Sequence, residues 1–200
     1  MLLKRTIIAA LCGGALAPLT ALCQENPAFN SEISIEASLP FVKNTTAYGV
    51  QQSASLNGGV LAGYRFFFGK HSGAELSYGY SRNIQTYGLE SGPVGVRSNF
   101  DEVFAAYVFR FPWKRWSPFV LAGAGGLVFD PRATAVADTQ VRFGYLYGGG
   151  ADFDVKRRMF VRAEYRGVFY NSPTFNMDGL NGLERFTHRA EPSVGFGYRF

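Results

Sequence analysis

Polar and apolar residues alternate along most of the chain from residue 32 onward. A period of two puts successive side chains on opposite faces of a β-strand. In about 32–41, Ile33, Ile35, Ala37, Leu39 and Phe41 share one face, and Ser34, Glu36 and Ser38 the other. About 56–68 sets Val60, Ala62, Tyr64, Phe66 and Phe68 against Gly59, Leu61, Gly63, Arg65 and Phe67. About 73–87 sets Ala74, Leu76, Tyr78 and Tyr80 against Glu75, Ser77, Gly79 and Ser81. About 98–111 sets Val103, Ala105, Tyr107, Phe109 and Phe111 against Glu102, Phe104, Ala106, Val108 and Arg110. In the second half, about 140–155 opposes Val141, Phe143, Tyr145, Tyr147 and Phe153 to Arg142, Gly144, Gly148, Gly150, Asp152 and Asp154. About 160–170 opposes Val161, Ala163, Tyr165 and Phe169 to Arg162, Glu164 and Arg166. About 188–200 opposes Val194, Phe196, Tyr198 and Phe200 to Arg189, Glu191, Ser193, Gly195, Gly197 and Arg199. The fifth segment, about 118–129, is apolar or glycine on both faces; Phe119, Leu121, Leu127 and Phe129 are expected to face outward.

The connections alternate in length. Short links at 69–72, 112–117 and 156–159 separate longer ones at 42–55, 88–97, 130–139 and 171–187. An even number of strands, with short turns at one end and long loops at the other, is the signature of a barrel in the bacterial outer membrane. Strands of ~10 residues cross a bilayer when tilted. An open edge in hydrocarbon would leave backbone groups unpaired at several kcal/mol each, so the sheet must close. The expected fold is therefore all-β: an eight-stranded antiparallel up-and-down transmembrane β-barrel. Its apolar set faces lipid, and both termini lie with the short turns in the periplasm. Trp113 and Trp116, in the second short turn, are expected to form an interface girdle at the membrane–water boundary; the alternative is that they pack the turn.

Composition supports this reading. Aromatic residues make up 16% of the chain and glycine occurs 24 times, yet mean hydropathy is only −0.02. Strands with one apolar face keep hydropathy ordinary, whereas membrane helices would show long apolar runs. Such a run occurs only at the start: Lys4 and Arg5 precede an apolar stretch over 7–22, and Ala21-Leu22-Cys23 offers a cleavage site. Residues 1–23 read as a cleaved signal peptide, leaving 24–200 as the barrel domain. The stretch is short for a spanning helix and contains Pro18. Lipidation at Cys23 or Cys12 is disfavoured by the large Leu22 and Leu11 before them. Cleavage removes both cysteines and lowers the formal charge from +5 to +3. The remaining charges are scattered along the sequence, without the clustered basic face that nucleic acid would need.

The terminal Val194-Gly195-Phe196-Gly197-Tyr198-Arg199-Phe200 and the Pro118-Phe119…Gly123 stretch, with the alternating loops, resemble small outer-membrane β-barrels. These are similar to the transmembrane domain of outer-membrane protein A and its short relatives. The resemblance covers 24–200. It implies a Gram-negative cell envelope, and it implies that the barrel-assembly machinery reads Val194, Phe196, Tyr198 and Phe200 as an assembly signal. Because the sequence ends at Phe200, the soluble peptidoglycan-binding domain of the longer members is not expected.

The inward set gathers a polar network: Glu36, Arg65, Glu75, Glu102, Arg110, Arg142, Asp152, Asp154, Arg162, Glu164, Arg166, Glu191 and Arg199. An eight-stranded barrel is just wide enough for side chains to fill it, and unpaired buried charge is prohibitive. A plug of ion pairs is expected. The alternative is a narrow gated pore, opened when Arg162 or Arg166 changes its acid partner. Inward glycines (Gly63, Gly79, Gly144, Gly148, Gly150, Gly195, Gly197) are expected to make room for long arginines and to ease curvature. A soluble lipocalin-like carrier would instead need an apolar interior.

Catalytic constellations are not evident. His71 lies in a short turn and His188 begins the last segment. Some lipid A deacylases resemble this barrel and use a His, a Ser and an acid on the outer face. Here Arg189-Ala190-Glu191 follows His188, with no Ser two residues on, so an enzyme is not expected. No metal-ligand spacing or phosphate loop is present, so no cofactor is expected. Asn44-Thr45-Thr46 matches a glycosylation sequon, a tripeptide common by chance. The expected function is a structural or loop-mediated interaction role. Its partners would be outer-membrane lipid and lipopolysaccharide, the assembly machinery, and an extracellular ligand at the loops, of which 171–187 is the longest.

Overall fold

The computed structural model describes residues 29–42, 45–47, 50–54, 58–89, 92–131, 139–171 and 186–200. The signal peptide expected over 1–23, with both cysteines, lies outside these residues, as do Asn44 and most of the last two long connections.

The described residues form strands and no helix. They are β1 (Ser31–Ser38), β2 (Phe41–Val42), β3 (Thr45–Ala47), β4 (Val50–Ala54), β5 (Gly59–Phe67), β6 (Ser72–Leu89), β7 (Gly92–Arg110), β8 (Trp116–Pro131), β9 (Gln140–Asp154), β10 (Met159–Asn171) and β11 (Phe186–Arg199). Eight of them, β1 and β5 to β11, make the wall, each pairing antiparallel with its neighbours in sequence order. β1 then pairs with β11, from Glu32 opposite Arg199 to Ser38 opposite Ser193, and the sheet closes into a barrel. The seam is clasped where the Ser31 amide donates to the Phe200 carbonyl (3.2 Å) and the Phe200 amide to that of Ser31 (2.9 Å). The short links 68–71, 111–115 and 155–158 gather at one end with this clasp.

The alternation read in the sequence becomes two surfaces. Along β1, Glu32, Ser34, Glu36 and Ser38 are buried, while Ile33 and Ile35 are 48% and 62% exposed. Val60, Tyr64, Tyr78, Tyr107, Phe143, Tyr145, Tyr165, Val194 and Phe196 continue the exposed apolar band around the wall. A soluble monomer rarely tolerates an exposed apolar patch beyond a few hundred Å²; in hydrocarbon this band is the favourable face.

The fifth segment faces the opposite way from the expectation. Phe119, Leu121, Leu127 and Phe129 point into the lumen at 3%, 4%, 0% and 2% exposure, and Val120 points out at 53%. With both faces apolar, periodicity carried no sign. The partners decide instead, because directly opposed residues share a face. Phe119 lies opposite Arg110 and Leu127 opposite Glu102 in β7. On the other side Phe119 meets Gly150, where an added Cβ would come within 2.8 Å of the ring.

Several inward glycines lie against bulky neighbours. Gly197 seats Phe160, Gly79 seats Glu102 and Gly195 seats Glu36; Gly125, outside the expected set, seats Phe104.

The second long connection is largely strand. β6 and β7 stay paired from Ser72 opposite Phe109 to Leu89 opposite Gly92. β5 accompanies β6 only as far as Ser81; beyond that, β4 takes its place against Gln85–Tyr87, and β3 pairs with β4. The first long connection thus supplies the extra strands that let the hairpin continue past the closed wall.

Candidate functional site

The candidate site is the lumen, and its two sides differ. β7, β8 and β9 contribute Phe104, Ala106, Val108, Phe119, Leu121, Leu127 and Leu146, all buried. The facing strands β10, β11, β1, β5 and β6 contribute most of the charge. Six arginines (Arg65, Arg110, Arg162, Arg166, Arg189, Arg199) and seven carboxylates (Glu32, Glu36, Glu75, Glu102, Asp152, Glu164, Glu191) are buried here.

Near the short-turn end the network converges on Glu32. Its Oε1 accepts from Arg110 Nη1 (2.6 Å) and Arg199 Nε (2.8 Å), and its Oε2 from Arg162 Nη2 (3.1 Å). Arg162 also holds Asp152 with two bonds, Nε to Oδ1 at 2.7 Å and Nη2 to Oδ2 at 2.9 Å. This planar fork on a carboxylate is the strong form of the ion pair. It arises because the two residues are directly opposed in the β9–β10 ladder. Arg199 closes the mouth by donating to Asp154.

In mid-lumen Arg65 bonds Glu75, its ladder partner in β6, and reaches across the barrel to Glu164 (2.7 Å). Glu36 accepts from the hydroxyls of Ser34 (3.0 Å) and Ser193 (2.6 Å). Higher up, Arg189 donates to Glu102 (2.8 Å) and Glu191 (3.2 Å). Arg166 donates to Ser77 (3.1 Å) but stands off from Glu102 and Glu164 at 3.7 and 3.9 Å.

Aromatic rings on both sides of the lumen take part in holding the charges. Guanidinium groups lie over phenyl faces: Arg110 on Phe67 at 3.7 Å, Arg65 on Phe119 at 4.0 Å, Arg189 on Phe100 at 4.1 Å and Arg199 on Phe160 at 4.6 Å. A ring face attracts a desolvated cation, so these arginines have carboxylates on one side and π-density on another. Toward the long-connection end Phe129 lies buried in the lumen, its ring 4.8 Å from that of Phe100 and 5.8 Å from that of Tyr170.

Of the expected polar set, Glu36, Arg65, Glu75, Glu102, Arg110, Asp152, Arg162, Glu164, Arg166, Glu191 and Arg199 are brought together in the lumen. Asp154 lies half-buried at its mouth. Arg142 is half-buried toward the opposite end, where it donates to Gln140 (3.3 Å). Two members fall outside that set, Glu32 and Arg189. Glu32 shares its parity with Ser34 and Glu36, and Arg189 its parity with Glu191, so the alternation contained both.

Val194, Phe196 and Tyr198 of β11, with Phe200 just beyond it, form an exposed ridge beside the seam. Trp113 and Trp116 are 70% and 53% exposed at the short-turn end, and Trp116 makes an edge contact with Phe153 at 5.0 Å. His188 shares a hydrogen bond with the Tyr147 hydroxyl (2.9 Å) and lies against Phe169 (4.7 Å) on the outer wall. His71 Nδ1 is bonded to the Arg110 carbonyl (2.8 Å).

The family model for the outer membrane protein beta-barrel domain matches residues 9–200. Solved structures share the fold at low sequence identity. Neisserial surface protein A is 11% identical with a TM-score of 0.66, the match covering 85% of this chain and 97% of that one. Outer membrane protein OprG of Pseudomonas aeruginosa is 12% identical with a TM-score of 0.63, covering 86% and 96%. Ail, the attachment invasion locus protein of Yersinia pestis, is 22% identical with a TM-score of 0.52, covering 86% and 99%. No curated protein matches the sequence significantly.

Arg162→Met leaves Asp152 without its fork and Glu32 with one cation fewer. The expected loss is about 3–5 kcal/mol of stability, the cost of breaking a buried pair from one side. The check is urea unfolding in lipid vesicles followed by gel mobility, with exposed Lys70→Gln expected within about 0.5 kcal/mol of the parent.

Proposed function

Because the chain belongs to the outer membrane protein beta-barrel family, whose place is the bacterial outer membrane, we propose that it is a closed anchoring barrel. On this reading its long-connection end presents a recognition surface. The short turns and the seam clasp face the periplasm, as short turns do in this class of barrel. The observation that carries the reading is the occupied lumen: six buried arginines, each hydrogen-bonded to a side chain of another strand, with the ring cluster of Phe100, Phe129 and Tyr170 toward the long-connection end. Rigid wall strands that prolong into a paired hairpin, β6–β7 with β3–β4 beside it, suit the display of variable recognition chemistry. Lipopolysaccharide or an extracellular ligand is the partner class this end would meet. The β11 ridge suits recognition by the assembly machinery. A non-enzymatic role is supported by His188, whose partner is a phenol rather than a serine or carboxylate.

A gated pore is the second reading. One observation favours it: Arg166 holds Glu102 and Glu164 at ion-pair rather than hydrogen-bond distance, making it the loosest of the buried arginines.

Planar-bilayer recording separates the two. The closed-barrel reading expects the folded protein to give no discrete conductance steps in molar salt; reproducible steps in the parent protein would replace it with the pore. For orientation, an epitope placed within 172–185 is expected to be labelled on intact cells and one within 156–158 only after the outer membrane is opened. The reverse result would invert the topology.

A further inference from the structure

The short links 68–71, 111–115 and 155–158 carry Lys70, Lys114, Arg115, Lys156, Arg157 and Arg158, and no acid. In sequence these six are dispersed; closure of the barrel gathers them onto one rim. All six are exposed. Among the described residues none of them is ion-paired to a carboxylate, and the acids on the inner wall at this end, Glu32, Asp152 and Asp154, pair instead with Arg110, Arg162 and Arg199.

Two further features bear on this rim. The wall beside it is aromatic on the outside: Trp113, Trp116, Phe68, Phe111 and Phe200 are all exposed there. Such rings settle at the headgroup level of a bilayer, which fixes the depth of the cations among them. Arg158 is held against this belt, donating to the Tyr198 hydroxyl (3.1 Å) with its guanidinium 5.2 Å from the Phe29 ring. Lys114, meanwhile, adopts φ 52° in the tight turn where Trp113 and Trp116 exchange backbone bonds of 2.7 and 2.8 Å. Glycine or asparagine takes that left-handed conformation at less cost, so the turn keeps a cation where a smaller residue would fit more easily.

We propose that the short-turn rim is a docking surface for anionic phospholipid headgroups. Clusters of four to eight Lys and Arg beside a membrane recognise such lipids, and here six unpaired cations stand at headgroup depth. The rim enriches anionic lipid around the foot of the barrel and fixes its depth. The inference rests on the proposed orientation only for which leaflet of the cell membrane is concerned.

The two tryptophans of the chain, Trp113 and Trp116, both lie in this rim and report on its neighbours. The full-length folded protein is placed in vesicles of equal phosphatidylglycerol and phosphatidylcholine, with bromine on the acyl chains of one or the other. Brominated phosphatidylglycerol is expected to quench preferentially, corresponding to a relative association of about five-fold or more. High salt should abolish the preference, since exposed charges are screened. A variant with all six residues changed to glutamine should abolish it too. Equal quenching by both lipids at low salt, or a preference that survives salt or neutralisation, would overturn the proposal. If the sixfold variant does not fold, the salt series and the triple variant Lys156→Gln, Arg157→Gln, Arg158→Gln decide, the latter expected to lose at least half the preference. Both leaflets of the vesicle carry the same lipid, so an inverted cellular topology would leave this result unchanged.

Discussion

Pairing β1 with β11 is the constraint from which the rest of the molecule follows. In hydrocarbon a free strand edge is not affordable, so eight strands that cannot end must meet. Eight strands in turn set a circumference whose interior is filled by side chains. Every inward position then has to be compatible with its neighbours across the lumen as well as along the ladder. That requirement explains why arginine recurs inside. A guanidinium can serve Glu32 and Asp152 at once, as Arg162 does, or span from Glu75 to Glu164, as Arg65 does. Its flat face can also rest on Phe119 or Phe67. Lysine, a compact point charge, lacks both the planar bidentate fork and the flat face that stacks on a ring. Acids and arginines thus balance nearly one for one, and rings from both sides of the lumen, Phe100 and Phe119 on β7 and β8 and Phe67 and Phe160 on β5 and β10, receive the faces of the cations.

Much of this was legible in the alternation. Seven of the eight wall segments carried polar residues on one parity and apolar on the other, so facing followed from period two. The buried network appeared as the polar parity, and Glu32 belonged to it by the same rule. What the alternation could not supply is anything that depends on the neighbouring strand. The Phe119–Phe129 segment is apolar on both parities, and only its opposition to Glu102, Arg110 and Gly150 decides that its large side chains fill the lumen. The β6–β7 hairpin was hidden for a similar reason. Gly88, Gly92, Pro93 and Gly95 look like loop chemistry, yet this stretch remains paired to Leu89 opposite Gly92, with β4 alongside.

Charge was legible as residues but not as a pattern. The acids lie almost wholly inside or toward the long-connection end among the described residues, and most of the described cations fall into two groups, a paired interior set and a rim without carboxylate partners, while Arg82 and Arg142 lie toward the long-connection end. Along the sequence the two sets interleave: Arg110 and Lys114 are four residues apart, yet one bonds Glu32 in the lumen and the other stands in a solvent-facing turn. Only closure sorts them. The same barrel therefore carries a nearly neutral core and a strongly basic foot, and an aromatic belt separates the foot from the lipid-facing wall.

On the proposed closed-barrel reading the lumen is an ion-paired plug that excludes bulk water. Deuterium exchange at arginine side-chain Nε–H groups, followed by NMR in lipid bilayers, tests it most directly. Arg65, Arg162 and Arg166 should exchange at least a hundred-fold more slowly than exposed Arg115 and Arg157, because exchange requires opening of a buried network. If all five exchange together at the rate of the exposed pair, the lumen is open to water and the account is wrong.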